Sequence, residues 1–308
     1  ELTLGMLLAV QYIIGQLNSP LSQLIWFAQA TQDAKISLER LSEVHDRENE
    51  ESQDQKIDAL PSSRSLRFEG VSFGYSGPLA PKVLTDLDLD IPEGKVTAIV
   101  GVSGSGKTTL LKLLLKFYEP DEGKILVGNA HLRSLSNRSW RGSCGVVMQD
   151  GHLFSDTIGR NIAVGEDRID FARLVRSVEI ANIQEFIESL PISYNTKIGS
   201  EGIGMSTGQK QRILIARAIY RDPEYLFFDE ATSSLDANNE REIMESLESF
   251  YRGRTVVVIA HRLSTVKNAD QIVVLDKGQI VERGNHEELT AQRGNYYQLV
   301  KNQLELGL

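Results

Sequence analysis

Hydrophobic and polar positions divide the chain into three stretches with different periods. From Leu2 to Gln32 no side chain is charged, and the run LGMLLAVQYIIGQ is followed by LSQLIWFAQA. A bilayer span needs about 20 mostly apolar residues, so this stretch is long enough to predict part of a transmembrane helical region. Gln11, Gln16, Asn18, Pro20 and Gln23 lower its hydropathy, which favours a helix packed against other helices over one surrounded by lipid. A buried hairpin broken at Asn18-Ser19-Pro20 is the alternative, and the absence of a basic residue before the run argues against a signal peptide. Ala30, Ala34, Leu38 and Leu41 keep helical spacing between charged residues, so the helix is expected to continue to about residue 45. Because the chain starts at Glu1 and not Met, it is expected to be a piece of a longer polypeptide.

Residues 46–63, DRENEESQDQKIDALPSS, are polar and acidic with Pro61 near the end, the pattern of a solvated linker. From there the period falls to two. LRFEGVSFGY and VLTDLDLDI read as strands, the second with strict alternation at Leu87, Leu89 and Ile91. KVTAIVG, PEYLFFD and TVVVIA are continuously apolar, as parallel strands buried on both faces would be. Residues 64–308 are therefore expected to form an α/β domain.

Composition narrows the chemistry. The 308 residues carry 33 basic and 42 acidic side chains, a net charge of -9. That balance excludes generic nucleic-acid binding, and any anion must be held by a local arrangement. The single cysteine, Cys144, rules out an internal disulfide and a cysteine-based zinc site, and its place beside GVVM predicts a small buried hydrophobe.

One such arrangement follows the first continuous apolar strand. Gly101, Val102, Ser103, Gly104, Ser105, Gly106, Lys107, Thr108 and Thr109 spell G-x-x-x-x-G-K-T before a leucine-rich helical run. The glycines let backbone N–H groups turn inward around a phosphate, the helix N-terminus adds partial positive charge, and Lys107 adds a full one. Thr108 would offer a hydroxyl to Mg²⁺. Asp229 and Glu230 close a second apolar strand, where in P-loop proteins an Asp serves Mg²⁺ and a neighbouring carboxylate can polarise water.

Between these motifs lies MSTGQKQRILIARAI, which resembles the LSGGQ signature of ATP-binding-cassette (ABC) ATPases. The resemblance implies a P-loop NTPase fold: a RecA-like core with an antiparallel β subdomain and a helical subdomain over about 150–218. It also implies residue roles. Ser206, Thr207, Gly208 and Gln209 would grip the γ-phosphate of a nucleotide held by a second domain; Thr207 stands where the family usually has Gly. Tyr75 would stack on adenine, Gln149 would reach Mg²⁺ and the attacking water, Ser234, Leu235 and Asp236 would form the D-loop, and His261 would bond the γ-phosphate. ATP and Mg²⁺ are the implied cofactors.

LFSDTIGRNIAVG and the upstream apolar helix resemble exporters whose ATPase and membrane domains are fused; Ser200 and Glu201 depart from residues common before the signature. The expected protein is the ATPase domain of an ABC exporter of the cytoplasmic membrane, with the end of its last membrane helix (1–45) attached. It would pair head to tail with a second ABC domain, as a homodimer, and couple ATP hydrolysis to export of a substrate. The similarity of STGQKQRILIARA and DEATSSLDANNE to bacterial peptide exporters leans toward a peptide or protein. A non-transport ABC clamp or an importer subunit is the alternative; close spacing of Lys107 and Asp229 leaves no room for a clamp's long coiled coil.

Overall fold

The computed structural model describes residues 3–46, 50, 56–76, 81–199, 202, 204–231, 237–260 and 266–306. Ser200, Glu201, Ser234, Leu235, Asp236 and His261 lie outside the described residues. Contacts divide the chain into Glu1–Gln53 and Asp54–Leu308, each described by itself.

The first unit holds one helix, α1, Leu4–His45. It passes through Asn18-Ser19-Pro20 without a break, so no hairpin forms; Pro20 only removes one backbone donor. Among the described residues no helix is long and apolar enough to cross a membrane. The lowered hydropathy that Gln11, Gln16, Asn18, Pro20 and Gln23 give the run accords with this. Amides, small polar residues, glycines and proline dilute its hydropathy along the whole run. Leu24, Trp26 and Phe27 are nevertheless exposed on this helix.

The second unit is built on two sheets. Strands β1 (Leu66–Phe73), β2 (Leu84–Ile91), β4 (Glu122–Val127) and β5 (Ala130–His131) form an antiparallel sheet in the order β2-β1-β4-β5. Leu87, Leu89 and Ile91 are buried as their alternation predicts. The other sheet has the order β12-β11-β3-β10-β9-β6, where β3 is Val96–Val100, β6 Cys144–Val147, β9 Tyr225–Asp229, β10 Thr255–Ile259, β11 Gln271–Asp276 and β12 Gln279–Gly284. All neighbours in it are parallel except β12, which returns antiparallel on β11.

Continuous apolar runs are explained by the two cores this sheet separates. Leu226, Phe228, Val256 and Val258 face a core that includes Leu214, Ile215 and Ile219. Tyr225, Phe227, Val257 and Ile259 face the other, with Leu110, Leu111 and Leu114 of helix α2 (Lys107–Leu114). Successive residues point to opposite faces, so a strand covered on both sides has no polar phase.

The expected helical subdomain contains the short antiparallel pair β7 (Asp156–Thr157) and β8 (Lys197–Ile198), with helices α4 (Ile158–Ile162), α5 (Phe171–Ile180), α6 (Gln184–Ser189) and α7 (Thr207–Tyr220). Part of the polar 46–63 stretch is tied down. Ile57 bridges to Leu135, and Asp58 accepts from the Ser136 hydroxyl at 2.6 Å.

Helix α3 (Asn137–Gly142) carries Trp140, which is fully buried. Its indole N–H donates to the Leu114 carbonyl at 2.7 Å, satisfying an acceptor at the end of α2, and its ring lies 4.8 Å from that of Tyr225. Cys144 is half-buried and not fully buried as expected; its thiol donates to the Trp140 carbonyl at 3.1 Å, and desolvation pushes its pKa up. Trp140→Ala removes a large core side chain and orphans the Leu114 carbonyl. It should cost about 3–5 kcal/mol, read as a lower denaturation midpoint with an unchanged slope.

Candidate functional site

The strand order brings distant motifs to one edge. In an open parallel sheet the carboxyl ends of the strands form the binding crevice. Here β3 ends in the Gly101 loop, β9 ends in Asp229 and Glu230, and β6 leads to Gln149. Strand β10 lies between β3 and β9 with Ile259 in register with both Ile99 and Asp229.

The loop requires two of its glycines for different reasons. A Cβ on Gly101 would fall 2.1 Å from the Leu275 carbonyl oxygen, so only glycine lets this turn lie on β11. Gly106 caps α2 at φ 104°, a conformation that side chains resist, and a Cβ there would meet Leu84 Cδ2 at 2.7 Å. These contacts leave the first N–H groups of α2 directed out of the helix, where they have no intrahelical acceptor.

Lys107 is buried at 6% exposure. Its ammonium bridges the carbonyls of Gly101 at 2.9 Å and Val102 at 3.0 Å, lying across the mouth of the loop. Burial lowers its pKa, while the charges of Glu230 and Asp229 oppose that shift. The cation and both carboxylates therefore share one electrostatic environment. Asp229 is 1% exposed at the strand end.

Glu230 has φ 52°, outside the usual range for a side-chain-bearing residue, and its N–H donates to the Ile259 carbonyl at 3.1 Å. That turn lifts its carboxylate off the strand. Gln149 Nε2 reaches Glu230 Oε2 at 3.3 Å, joining two residues separated by 81 positions. Thr108, half-buried, follows Lys107 on the first turn of α2. The oxygen donors Thr108, Gln149 and Asp229 suit Mg²⁺, which takes few protein ligands when phosphates supply others.

Tyr75 follows β1 in a turn and is 46% exposed. Its ring stands edge-on to Phe73 and Tyr118, both at 5.2 Å between centroids, and its hydroxyl lies 3.0 Å from Thr109 Oγ1. The Lys112 ammonium is 5.5 Å from the ring centroid. Tyr118, Lys112 and the Thr109 contact were not anticipated from the sequence, although the aromatic pair Phe117-Tyr118 just beyond α2 was a signal for them.

Ser206, Thr207, Gly208 and Gln209 form the start of α7. Ser206 Oγ accepts from Gln209 N at 3.1 Å, and Gln209 Oε1 accepts from Ser206 N at 3.0 Å, a reciprocal capping box. Thr207 is the first helical residue and is exposed. Right-handed backbone there asks for no glycine, which explains how Thr stands at this position without breaking the cap.

Residues 84–233 match the family described as ABC transporter. This segment is an ABC transporter ATP-binding domain. The chain is 43% identical over 299 residues to the toxin RTX-I translocation ATP-binding protein of Actinobacillus pleuropneumoniae, covering 96% of this chain and 42% of that protein. It is 41% identical over 307 residues to the leukotoxin translocation ATP-binding protein LktB of Mannheimia glucosida, covering 99% and 43%. A solved bacterial Atm1-family ABC exporter with ATP bound superposes with a TM-score of 0.81 at 36% identity, covering 98% of this chain and 53% of that one. The chain thus spans less than half the length of these curated relatives.

Gly101→Ala should abolish ATP binding by the ABC domain, because the methyl group would force the loop off Leu275. Titration calorimetry with ATP would show no heat of binding, while circular dichroism would remain native. Retained affinity would show that the loop relaxes around the methyl group.

Proposed function

We propose that this chain is the ATP-hydrolysing part of an ABC exporter and that its cargo is a protein or peptide. One observation carries the catalytic reading: Lys107, Asp229, Glu230 and Gln149 share the carboxyl edge of one sheet, with Gln149 in contact with Glu230. The names of two relatives support the cargo class, since both are toxin translocation proteins.

In this reading the N–H groups of Gly101–Thr109 and the Lys107 ammonium hold the β- and γ-phosphates. When bound, Mg²⁺ would supply charge neutralisation between the phosphates, with Thr108, Gln149 and Asp229 as its protein donors. Glu230 takes a proton from the attacking water, and Gln149 orients that carboxylate through the 3.3 Å contact. His261 would bond the γ-phosphate. Transfer to water needs positioning and electrostatic stabilisation more than covalent chemistry, which suits a site made of strand ends and one loop.

Two copies would pair head to tail. Ser206 to Gln209 of one copy, at the positive end of α7, would complete the nucleotide site of the other, with Asp236 beside it. Helix α1 would belong to a membrane domain at the cytoplasmic membrane. Its hydropathy falls short of a lone span, but its exposed Leu24, Trp26 and Phe27 suit packing among other helices.

Glu230→Gln tests the base. ATP binding should stay within about twofold, while phosphate release should fall by about 10²- to 10⁴-fold, the usual contribution of a general base. Persistent hydrolysis would remove Glu230 from that role. Tyr75 is tested separately. Tyr75→Ala should weaken ATP binding by about 1–3 kcal/mol, the range for stacking on a base, whereas Tyr75→Phe, which keeps the ring, should change it by less than about threefold. Equal losses in the two variants, read by fluorescence titration, would assign the effect to the Thr109 contact.

A further inference from the structure

The far end of α7 is built into the segment that carries Gln149. A Cβ on Gly145 of β6 would fall 2.3 Å from the Ala218 carbonyl oxygen, and one on Gly151 would fall 2.4 Å from Leu214 Cδ1. Neither glycine has a left-handed backbone, so close approach to α7 is what excludes their side chains. Arg217 lies one helical turn beyond Leu214 and locks the same seam. Its Nε donates to the Asn161 carbonyl at 2.7 Å, one terminal nitrogen to the His152 carbonyl at 2.8 Å, and the other to Asn161 Oδ1 at 3.1 Å. The guanidinium also sits 5.4 Å from the Phe154 ring centroid.

Asn161 extends the lock. It is fully buried, and its Nδ2 donates to the carbonyls of Phe154, Asp156 and Thr157 at 3.0–3.3 Å while Oδ1 accepts from Phe154 N at 2.8 Å. Burial lowers the Arg217 pKa. A partly desolvated cation is costly unless several oxygens receive it, and a planar fork of donors meets oxygens on two chain segments where a single ammonium cannot.

We propose that Arg217 is a positioning residue that fastens α7 to the segment from Gln149 to Thr157, so that Ser206 and Gln149 move as one body. This rests on the paired ATPase reading above. In such a pair, Ser206 serves the nucleotide of the other copy, whereas Gln149 and Glu230 serve their own. Arg217 thereby links the closing of one nucleotide site to the alignment of Glu230 in the other, through α7 and the Gln149 to Glu230 contact.

The test uses Arg217→Lys in the 308-residue chain, alone and combined with Glu230→Gln. Lysine keeps the charge but loses the fork. Three quantities are read: the ATP Kd of the dilute single chain, the ATP concentration for half-maximal pairing in the Glu230→Gln background, and kcat for hydrolysis. The expected result is a Kd within twofold of the parent, a pairing midpoint raised at least fivefold, and kcat reduced at least fivefold. Pairing and turnover within twofold of the parent would overturn the proposal. So would a Kd weakened as much as pairing, which would make Arg217 a general folding residue. If Arg217→Lys does not fold, Gly151→Ala strains the seam at Leu214 without touching the cation. It should reproduce the split between Kd and pairing, and unchanged pairing would overturn the link. A parent chain that neither hydrolyses ATP nor pairs would refute the underlying function instead.

Discussion

Burial of the Lys107 ammonium at the carboxyl edge of a parallel sheet is the constraint around which the larger unit is arranged. An ammonium loses stabilising water there, and its pKa falls accordingly. The opposing charges of Asp229 and Glu230 can act only because β9 lies one strand away from β3, across β10. The loop bends tightly enough to hold the cation because Gly101 lies directly on Leu275 and Gly106 accepts a left-handed backbone. A chain with net charge -9 can therefore hold a polyanion: the attraction is generated over a few residues, where burial keeps solvent from screening it.

The helical subdomain connects to this edge through α7. Its N-terminus is organised by the reciprocal bonds of Ser206 and Gln209, and its C-terminal half fits against Gly145 and Gly151 with no space to spare. Gln209 thus acts on the backbone of Ser206, which gives it a structural task at the signature in addition to any contact with nucleotide. The Thr at position 207 fits the same account, since the cap is made by its neighbours and its own backbone is helical.

Much of the fold was legible in the sequence. Alternation at Leu87, Leu89 and Ile91 marked a strand of the antiparallel sheet, and continuous apolar runs marked β3, β9 and β10 as buried on both faces. The spacing Gly101, Gly106, Lys107 and Thr108 marked the glycine-rich turn that opens α2, because backbone geometry and charge are local properties there. The extent of α1 was less clear. The alternative of a break at Pro20 is not realised, since the helix is continuous, while its hydropathy is as low as its amides imply. Helix propagation depends on backbone bonds that one proline interrupts only once, whereas membrane preference sums over every amide and hydroxyl in the run.

Local chemistry was what the sequence alone determined: strand periods, the glycine-rich loop before α2, and a strand ending in two carboxylates. Tertiary structure decided which of these meet. It put Gln149 against Glu230, set Tyr75 edge-on to Phe73 and Tyr118, and closed Arg217 on Asn161 and His152. The Gln149 and Arg217 contacts have no short-range pattern, because they follow from strand order and from the steric fit of glycines against a helix. Both are set by packing the whole domain at once.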